Sequence, residues 1–378
     1  MRLDAFTERV MRKNKNNKSK LPLTISAQYG LVDQITFFNK VIASTDMSNY
    51  YLLKKGEFAY NKSYSSDYPW GAIKRLDNYE RGALSSLYIC FAPQDNVVSD
   101  FILQYFESPK WHKGVSEIAV EGARNHGLLN VSVQDFFHTY HYVPKDKKEQ
   151  IKIAKLLMLL DERIATQSKI IDKLQSLIKG INQKVFKNSG NNYKLGEICE
   201  IRSGYSGSQL LSKKGLKVSR IETISGHKVN LERVGYVAPF ESSENYKLQV
   251  GDILFSNINS VEYIGNTAFI DKDYDLYHGM NLLRLIPNNM VVIPFYLYLL
   301  INTNRMLNRF KTVCNKAVSQ ASINQTELGK TVVQIPDINA QKQICELYQA
   351  LYDKLESEKY ANSLFQKQKQ YLLRQMFI

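Results

Sequence analysis

The longest regular pattern of apolar positions in the chain lies in its middle, between Glu149 and Phe186. Apolar residues recur there at alternating spacings of four and three from Ile153 to Val185, and Gln167 is the polar exception. This alternation keeps a narrow apolar seam on one side of an α-helix, which is typical of a helix that packs lengthwise on another helix. At 1.5 Å per residue, roughly forty residues would form a rod about 60 Å long.

A second stretch of the same kind, Gln341 to Phe377, closes the chain. An offset of 191 residues, which places Gln150 on Gln341, brings the apolar positions of the two stretches together, although Glu358 and Lys369 interrupt the second seam. We predict that the two helices bury their seams against each other as an antiparallel coiled coil. The predicted seam residues are Ile153, Leu157, Leu160, Ile164, Ile171, Leu174, Ile178, Ile181, Ile344, Leu351, Leu355, Phe365 and Leu372.

The segments between the long helices also repeat. Gly56 and Glu57 fall on Gly251 and Asp252 at an offset of 195 residues, and the run VSVQDFFHTYHYVP at residues 131–144 falls on INQTELGKTVVQIP at residues 323–336. We interpret each of these runs as a strand that ends in a proline and leads into a long helix. Matches that keep their order over both halves are typical of a duplicated unit.

The predicted fold class is therefore α+β, with two repeated globular domains separated by two long helices in a pseudo-twofold arrangement. Short β-like runs such as LPLTI, GEFAYN, GDILFSN, SLYICF and KTVVQI alternate with short helices in each globular part. The predicted boundaries are 1–143 for the first domain, 144–188 for the central helix, 189–335 for the second domain and 336–378 for the last helix.

Composition points to a polyanionic partner. The 378 residues carry a formal charge of +14, and this excess favours nucleic acid through phosphate neutralisation, with a merely basic protein or an acidic membrane surface as alternatives. No run approaches eighteen apolar residues, and the first residues lack the apolar core of a signal peptide, so we expect a cytoplasmic protein. The four cysteines are scattered without a CxxC motif, which predicts neither a zinc ribbon nor disulfides.

The sequence contains no recognised catalytic or nucleotide-binding motif. It contains no P-loop, no GxGxxG after a strand and no Asn/Asp-Pro-Pro-Tyr/Phe motif of an amino-methyltransferase. His138 and His141 lie three apart in a run that we interpret as a strand, so they would face opposite sides and would not bind one metal together. We predict no catalytic, cofactor-binding or metal-binding residue in this chain.

Four polar or basic loops are candidates for contact with DNA. Their lysines, hydroxyls and amides could hold phosphates or base edges, while ordinary turns and solvated surface remain the alternative interpretation. In the first half the candidate residues are Arg12, Lys13, Lys15, Lys18, Tyr60, Asn61, Lys62, Ser63 and Tyr64. In the second half they are Arg202, Ser203, Tyr205, Ser206, Lys213, Lys214, Ser256, Asn257 and Asn259.

Several motifs of the chain belong to a known pattern: KLGEICEIRSG at residues 194–204, GDILFS at 251–256, and the joints HYVPKDKKEQIKIAKLLMLLDERI at 141–164 and VVQIPDINAQKQI at 332–344, each next to a long helix. With these motifs the chain resembles the specificity subunits of type I restriction-modification systems. The run SKLPLTISAQYGLVDQITFFNKV at 19–41, with GEFAYNKSY and GAIKRLDNYERGALSSLYICF, resembles a recurring type of target-recognition domain.

This resemblance implies a non-catalytic subunit that reads a bipartite, asymmetric DNA target. It implies two methyltransferase subunits as partners, which use S-adenosylmethionine to methylate adenine N6, and two restriction subunits that use ATP and Mg²⁺. A DNA-mimicking anti-restriction inhibitor is a further partner of this class. The long helices would act as a ruler between the two readers, and no cofactor would be bound by this chain.

Two other functions stay open from the residues alone. The first is a stand-alone DNA-modifying enzyme with an unrecognised site. The second is a coiled-coil scaffold that binds nucleic acid or proteins without reading a sequence.

Overall fold

The computed structural model describes residues 1–119, 127–186, 190–316 and 320–377. The chain divides into two compact units, one formed by Met1–Lys169 with Glu358–Ile378 and the other by Ile170–Ser357. Each unit therefore contains one globular part and a portion of both long helices. The predicted domain limits are not tested by this division, and residues 187–189 and 378, which fall at predicted boundaries, lie outside the described residues.

The first unit contains two four-stranded sheets and short helices. Its strands are β1 (Thr7–Arg9), β2 (Pro22–Ser26), β3 (Gly30–Asp33), β4 (Tyr51–Lys54), β5 (Phe58–Asn61), β6 (Ala72–Arg75), β7 (Arg81–Leu84) and β8 (Ile89–Pro93). Its short helices are α1 (Gln34–Phe38), α2 (Ser99–Glu107), α3 (His112–Ile118) and α4 (Val133–His138), with 3₁₀ turns at Leu3–Ala5, Lys15–Asn17 and Pro109–Trp111.

One sheet of the first unit has the order β1-β8-β5-β6 and is antiparallel throughout. The other has the order β3-β2-β7-β4, in which β2 and β7 are parallel. The core beside the first sheet is aromatic: Tyr60 stacks on Phe136 with ring centroids 4.8 Å apart, and Phe58 stacks on Phe91 at 5.4 Å. These large rings supply much of the buried apolar area of the domain.

The second unit repeats the first sheet with the order β10-β16-β13-β15. Its strands begin with β9 (Asn191–Lys194), β10 (Cys199–Ser203), β11 (Leu216–Val218), β12 (Gly235–Val237), β13 (Ile253–Phe255), β14 (Ile258–Asn259) and β15 (Thr267–Phe269). They continue with β16 (Leu283–Pro287), β17 (Asn315–Lys316), β18 (Ala321–Ser322) and β19 (Val332–Ile335). Its short helices are α6 (Leu195–Ile198), α7 (Pro294–Ile301), α8 (Asn304–Val313) and α9 (Gln325–Gly329), with 3₁₀ turns at Ile221–Ile224, Leu231–Arg233 and Ser243–Tyr246.

The two long helices are α5 (Lys147–Val185), which the sequence placed at Glu149 to Phe186, and α10 (Ile338–Gln375). In the first unit they pack antiparallel, because Gln167 of α5 bonds Glu358 of α10 while the earlier Asp161 bonds the later Lys369. In the second unit Ile178 of α5 lies in one apolar cluster with residues of α10. The predicted fold class, with two α+β domains and two packed long helices, is confirmed.

Every predicted seam residue is buried or partly buried. The seam also contains Tyr348, which the prediction missed although it stands at the repeat position of Leu157 (157 + 191 = 348). Tyr348 is fully buried, and its hydroxyl bonds Asn182 Oδ1 within the second unit. No helix among the described residues is long and apolar enough to span a membrane.

The repeat extends to individual side chains at the starts of the long helices. Gln150 is 1% exposed; its Oε1 accepts a bond from Val98 N at 2.7 Å, and its Nε2 donates to Pro144 O at 2.7 Å. Gln341 is 0% exposed and does the same with Ile293 N and Pro336 O, both at 2.8 Å. Each glutamine thus ties the start of a long helix to its own globular domain.

The turn before the central strand is repeated as well. Gly56 and Gly251 both have positive φ, at 86° and 100°, a conformation that favours glycine. The next residue in each unit, Glu57 or Asp252, accepts a bond from the main-chain N–H three residues earlier, at 2.8 and 2.6 Å. An acidic side chain after a left-handed glycine is therefore a local signature of both domains.

One element was predicted wrongly. We interpreted residues 131–144 as a strand, but Val133–His138 form helix α4. Ser132 caps this helix by accepting a bond from Asp135 N at 3.0 Å, and Asn324 caps α9 from Glu327 N at 2.8 Å. The repeat match of Asp135 with Glu327 thus reflects two N-terminal caps, and a helix start signal of this kind outweighs the β-like composition that follows.

Candidate nucleic-acid interface

The predicted loops of the second unit leave its main sheet at one edge. Strands β10 and β13 both pair antiparallel with β16, so they run in the same direction. Their last residues are level, because Ser203 and Phe255 both lie opposite Leu283. The loops that follow Ser203 and Phe255 therefore emerge at the same level, one on each side of β16.

The first unit has a related arrangement. Strands β1 and β5 both pair antiparallel with β8 and so run in the same direction, but β1 ends with Arg9 at the level of Phe91, where β5 begins with Phe58, so β5 extends three residues further. The basic loop after β1 and the polar loop after β5 thus leave the sheet in the same direction. Each domain has two such loops, which the sequence singled out separately.

Asn14 holds the basic loop of the first unit in shape. It is 0% exposed; its Nδ2 donates to Ser19 O at 3.0 Å and Met47 O at 3.3 Å, and its Oδ1 accepts from Ser19 N at 2.8 Å. Asn16 and Asn17 follow with positive φ of 58° and 49°. The prediction missed Asn14, although a run of asparagines, which tolerate this conformation and bond their own main chain, signals such a turn.

The predicted cations of this loop fall into two groups. Arg12 is bound to Glu57 through Nη2 at 2.6 and 2.7 Å, and Lys13 donates to Asn49 O and lies over the Tyr51 ring at 4.2 Å. Both therefore hold the fold together. The other group, Lys15 and Lys18, is exposed. These two lysines are the ones placed to reach a phosphate from this loop.

The loop after β5 contains one residue that belongs to the core. Tyr60 is 0% exposed, its hydroxyl donates to Trp70 O at 2.9 Å, and burial raises its pKa above the ordinary range. We therefore assign Tyr60 to the core instead of the interface. Its neighbour Asn61 accepts a bond from Ser63 N at 3.0 Å, while Ser63 and Tyr64 are exposed.

Lys62 is partly buried beside the same loop. Its Nζ donates to Val131 O at 3.4 Å, and its main-chain carbonyl accepts a bond from Leu129 N at 2.9 Å. These contacts connect the loop to the segment before α4. They position the loop but leave its exposed tip to Ser63 and Tyr64.

The first loop of the second unit is built around Tyr205. Its ring stacks on Phe240 with centroids 3.8 Å apart and planes 7° apart, and meets Tyr246 edge-on at 5.6 Å. Arg202 makes a bidentate pair with Glu200, with bonds of 2.6 and 3.0 Å, which raises the pKa of the arginine and lowers that of the glutamate. The aromatic partners of Tyr205 come from distant sequence, so no local pattern predicted them.

The remaining predicted residues of this loop are open to solvent. The exposed side chains are Ser203, Ser206, Lys213 and Lys214. Leu211, between them, is also exposed. A loop of hydroxyls and lysines on an aromatic base can contact phosphates without rearranging the domain.

The second loop of this unit is mostly folded back on itself. Ser256 is 0% exposed and accepts a bond on Oγ from Asn259 Nδ2 at 3.1 Å, so we assign it to the core. Asn257 is partly buried, and its Oδ1 is buried without a hydrogen-bond partner within the structure. Asn259 Oδ1 accepts a bond from Ser260 N at 2.8 Å. Of the three predicted residues, Asn257 has an unused acceptor.

The buried histidines serve the fold. His141 lies between Tyr105 Oη at 3.0 Å and Thr139 Oγ1 at 2.7 Å, and burial lowers its pKa to about 3. His278 lies next to the Tyr205 loop, where its Nε2 contacts Leu282 O at 3.0 Å, and burial lowers its pKa to about 4. Among the described residues, no group of three or more His, Cys, Asp or Glu is arranged to hold a metal ion.

The chain is similar to known proteins in both sequence and structure. The family model described as type I restriction modification DNA specificity domain matches residues 189–363. The type I restriction enzyme MjaX specificity subunit of Methanocaldococcus jannaschii is 42% identical over 157 residues, which are 40% of this chain and 37% of that relative. The HindI specificity subunit of Haemophilus influenzae is 28% identical over 133 residues, 35% of this chain and 28% of the relative.

The aligned part thus spans about a third of the length of these curated relatives. The solved structures share the fold at 16% sequence identity. A chain from a structure of type I restriction-modification complex assembly has a TM-score of 0.62, covering 99% of this chain and 95% of that one. The type I specificity subunit from M. genitalium has a TM-score of 0.58, covering 100% and 95% of the two chains.

The HsdS subunit from Thermoanaerobacter tengcongensis follows with a TM-score of 0.51, covering 99% of this chain and 94% of that one. The matched domain, the related sequences and the shared fold agree with the repeated domains and paired helices described above. Residues 189–363 thus match the type I restriction modification DNA specificity domain, and the chain as a whole shares its fold with solved type I specificity subunits.

Proposed function

We propose that this chain is the non-catalytic reader of a type I restriction-modification complex, and that each of its domains reads one half of a bipartite, asymmetric DNA target. The observation that carries the proposal is the repeated loop pair: in both domains two polar or basic loops follow strands that run in the same direction in the main four-stranded sheet. The loops differ in sequence between the domains, so the half-sites should differ too. The charge of +14 supports a DNA partner.

Methylation mapping, in a cell that expresses the chain with its methyltransferase, tests the proposal that each domain reads one half-site. Ser63→Ala with Tyr64→Ala changes exposed side chains of the first domain, and Ser203→Ala with Ser206→Ala is the matched change of exposed side chains in the second. Each pair should relax or alter only one half of the methylated sequence. If either pair altered both halves, the assignment of one domain to one half-site would fail.

We further propose that the long helices dock two methyltransferase subunits that methylate adenine N6, and through them two restriction subunits. In the first unit Ile151 and Leu159 of α5 are 52% and 53% exposed, and in the second unit Leu177 is 50% exposed. In the first unit Ile151 and Leu159 line one concave surface together with Ala154 and Met158, and a contiguous exposed apolar patch is typical of a protein-binding surface. S-adenosylmethionine, ATP and Mg²⁺ would be bound by those partners, and a DNA-mimicking inhibitor would compete for the DNA-reading loops.

Docking is tested by purifying the complex with an affinity-tagged methyltransferase. Leu159→Glu should reduce the retained methyltransferase at least tenfold, since truncating a buried interface anchor costs about 2 kcal/mol or more. Thr166→Glu places the same charge at another exposed position of α5 and should leave the complex intact. Equal recovery of the methyltransferase with both variants would argue against this surface.

The ruler role of the helices is tested by lengthening both. Seven residues are inserted after Lys173 and after Asp353, which lies close to the level of Lys173 in the antiparallel pair because the numbers of contacting residues sum to 525–530 (167 + 358 = 525; 161 + 369 = 530). Insertion of a whole heptad at facing positions keeps the seam in phase. The insertion should add about 10 Å, and thus about three base pairs of spacer, to the methylated target. An unchanged spacer would refute the ruler. Methylation by the purified chain alone would instead favour a stand-alone enzyme.

A further inference from the structure

The second unit contains a cavity of about 430 Å³ that the proposed DNA reading does not use. It lies between the end of α5, the start of α8 and the small β9–β19 ribbon. Its lining includes Lys179 of α5 and Phe186 just after it, Thr303 just before α8, Arg305 and Arg309 within that helix, and Gln334 of β19. A volume in this range suits a ligand of mononucleotide size better than a single backbone phosphate.

All the charged side chains in the described lining of the cavity are positive. Lys179, Arg305 and Arg309 line it, and no carboxylate is among the lining residues that the structure describes. Arg309 is held in place because its Nη1 donates to Val332 O at 3.1 Å. Three cations around one concave space favour a ligand with several negative charges.

The start of helix α8 adds to this potential. The helix runs from Asn304 to Val313, and Thr303 caps it by accepting a bond from Met306 N at 3.4 Å. Both Thr303 and Asn304 line the cavity. The first main-chain N–H groups of a helix and its dipole favour an anion at this end, so the helix reinforces the side-chain cations.

The rest of the lining is suited to the uncharged part of such a ligand. Gln334 Oε1 is buried without a hydrogen-bond partner within the structure, and it could accept a bond from an exocyclic amine or a sugar hydroxyl. Phe186, Leu300 and Val333 supply an apolar surface. The combination of an anion-binding side and an apolar side with an unused acceptor is typical of a nucleotide pocket.

The repeat provides an internal comparison. In the first unit a cavity of about 320 Å³ is lined by Gln370 and Arg374 of α10, the repeat positions of Lys179 and Gln183 (179 + 191 = 370; 183 + 191 = 374). That cavity is also lined by Asp67 and Glu107, and Lys74 in it pairs with Glu107 at 2.6 Å. The positive cavity of the second unit is therefore not a general consequence of the repeated fold.

We propose that the cavity between α5, α8 and β19 binds a nucleoside phosphate, with Lys179, Arg305 and Arg309 on the phosphates and Gln334 on the base or sugar. The inference is independent of the proposed DNA reading. A duplex could supply phosphates to the same cations, so the experiment below separates the two sources.

The test is calorimetric titration of the full chain with ATP, AMP, inorganic pyrophosphate and adenosine. ATP should bind saturably with one site per chain, and adenosine should bind at least tenfold more weakly. Lys179→Gln and Arg305→Gln should each raise the Kd for ATP at least tenfold, and Lys179→Arg should restore it. Arg374→Gln, in the charge-balanced cavity of the first unit, should leave the Kd unchanged.

The absence of saturable binding by any phosphate-bearing probe would overturn the proposal, and so would equal affinities of Lys179→Gln and Arg374→Gln. A duplex DNA titration of the same variants forms the second arm. If Lys179→Gln weakened duplex binding while no free nucleotide bound, the phosphates would come from DNA and the nucleotide site would be refuted. Methylation mapping with the same variants should show an unchanged target sequence, which separates this test from that of the proposed function.

Discussion

Gln341 should be one of the most sensitive positions in the second unit. Its side chain is fully buried at the start of α10 and makes three hydrogen bonds. Its Oε1 accepts from Ile293 N at 2.8 Å, and its Nε2 donates to Val291 O at 3.1 Å and Pro336 O at 2.8 Å. The glutamine thus joins the long helix, the segment before α7 and the strand-proline joint.

The substitution Gln341→Leu keeps most of the volume and removes all three bonds. A buried N–H left without an acceptor costs about 1–3 kcal/mol, and the two carbonyls, which lose a donor, add roughly 1 kcal/mol. We expect the free energy of unfolding to fall by about 2–4 kcal/mol. For a unit of this size, each kcal/mol lowers Tm by about 2–4 °C, so the shift should be roughly 5–15 °C.

Thermal and urea unfolding measure the loss, and hydrogen exchange followed by mass spectrometry locates it. The change in protection should be concentrated in peptides of the second unit. Gln343→Leu, at an exposed position of the same helix, is the matched control and should shift Tm by no more than about 2 °C, since exposed substitutions stay within about 0.5 kcal/mol. If Gln341→Leu were no more destabilising than Gln343→Leu, the coupling of helix and domain through this residue would be refuted.

Three further predictions address charge. Replacing Lys15 and Lys18 by alanine should weaken binding to all duplexes alike and reduce the slope of log Kd against log salt by about one per lysine, as measured by fluorescence anisotropy. The folded state keeps His141 neutral with a pKa of about 3, whereas in the unfolded chain the imidazole is protonated below about pH 6.5. The free energy of unfolding should therefore decrease as the pH falls from about 6.5 toward 3, by at most about 1.4 kcal/mol per pH unit. Urea unfolding of His141→Gln should lack this part of the pH dependence. Arg284→Met should lower the free energy of unfolding, measured in urea, by about 3–5 kcal/mol, because it leaves its partner Asp252, 2.6 Å away, buried without a counter-charge. The double variant Arg284→Met with Asp252→Leu should recover much of this loss.

The sequence predicted those parts of the fold that depend on local pattern. The alternation of four and three gives the long helices because a seam must face one way to be buried, and Gly56 and Gly251 mark the same turn because few other residues adopt positive φ. The error at α4 has the opposite cause. There the cap at Ser132 decides the structure, while the aromatic residues that follow would suit either a strand or a helix.

The candidate interface was less predictable, because it depends on contacts between distant residues. Tyr60 and Ser256 stand in polar loops by sequence but are buried by partners elsewhere in their domains. Tyr205 depends on Phe240 and Tyr246, which no local pattern connects with it. That the two loops of a domain follow strands of the same direction depends on strand order, and strand order is set by the whole sheet.

The polar residues in the helix seam clarify why the helices should keep a fixed register. In the first unit Gln167 bonds Glu358, Lys369 bonds Asp161, and Asn362 has a buried Oδ1 without a partner within the structure. An all-apolar seam would be more stable but could slide by one heptad, since apolar side chains fit many neighbours. A slide here would separate both polar pairs and leave four polar groups facing apolar ones, at about 1–3 kcal/mol for each unsatisfied group. The interruptions of the seam therefore favour one register, as the proposed ruler between two DNA-reading domains requires.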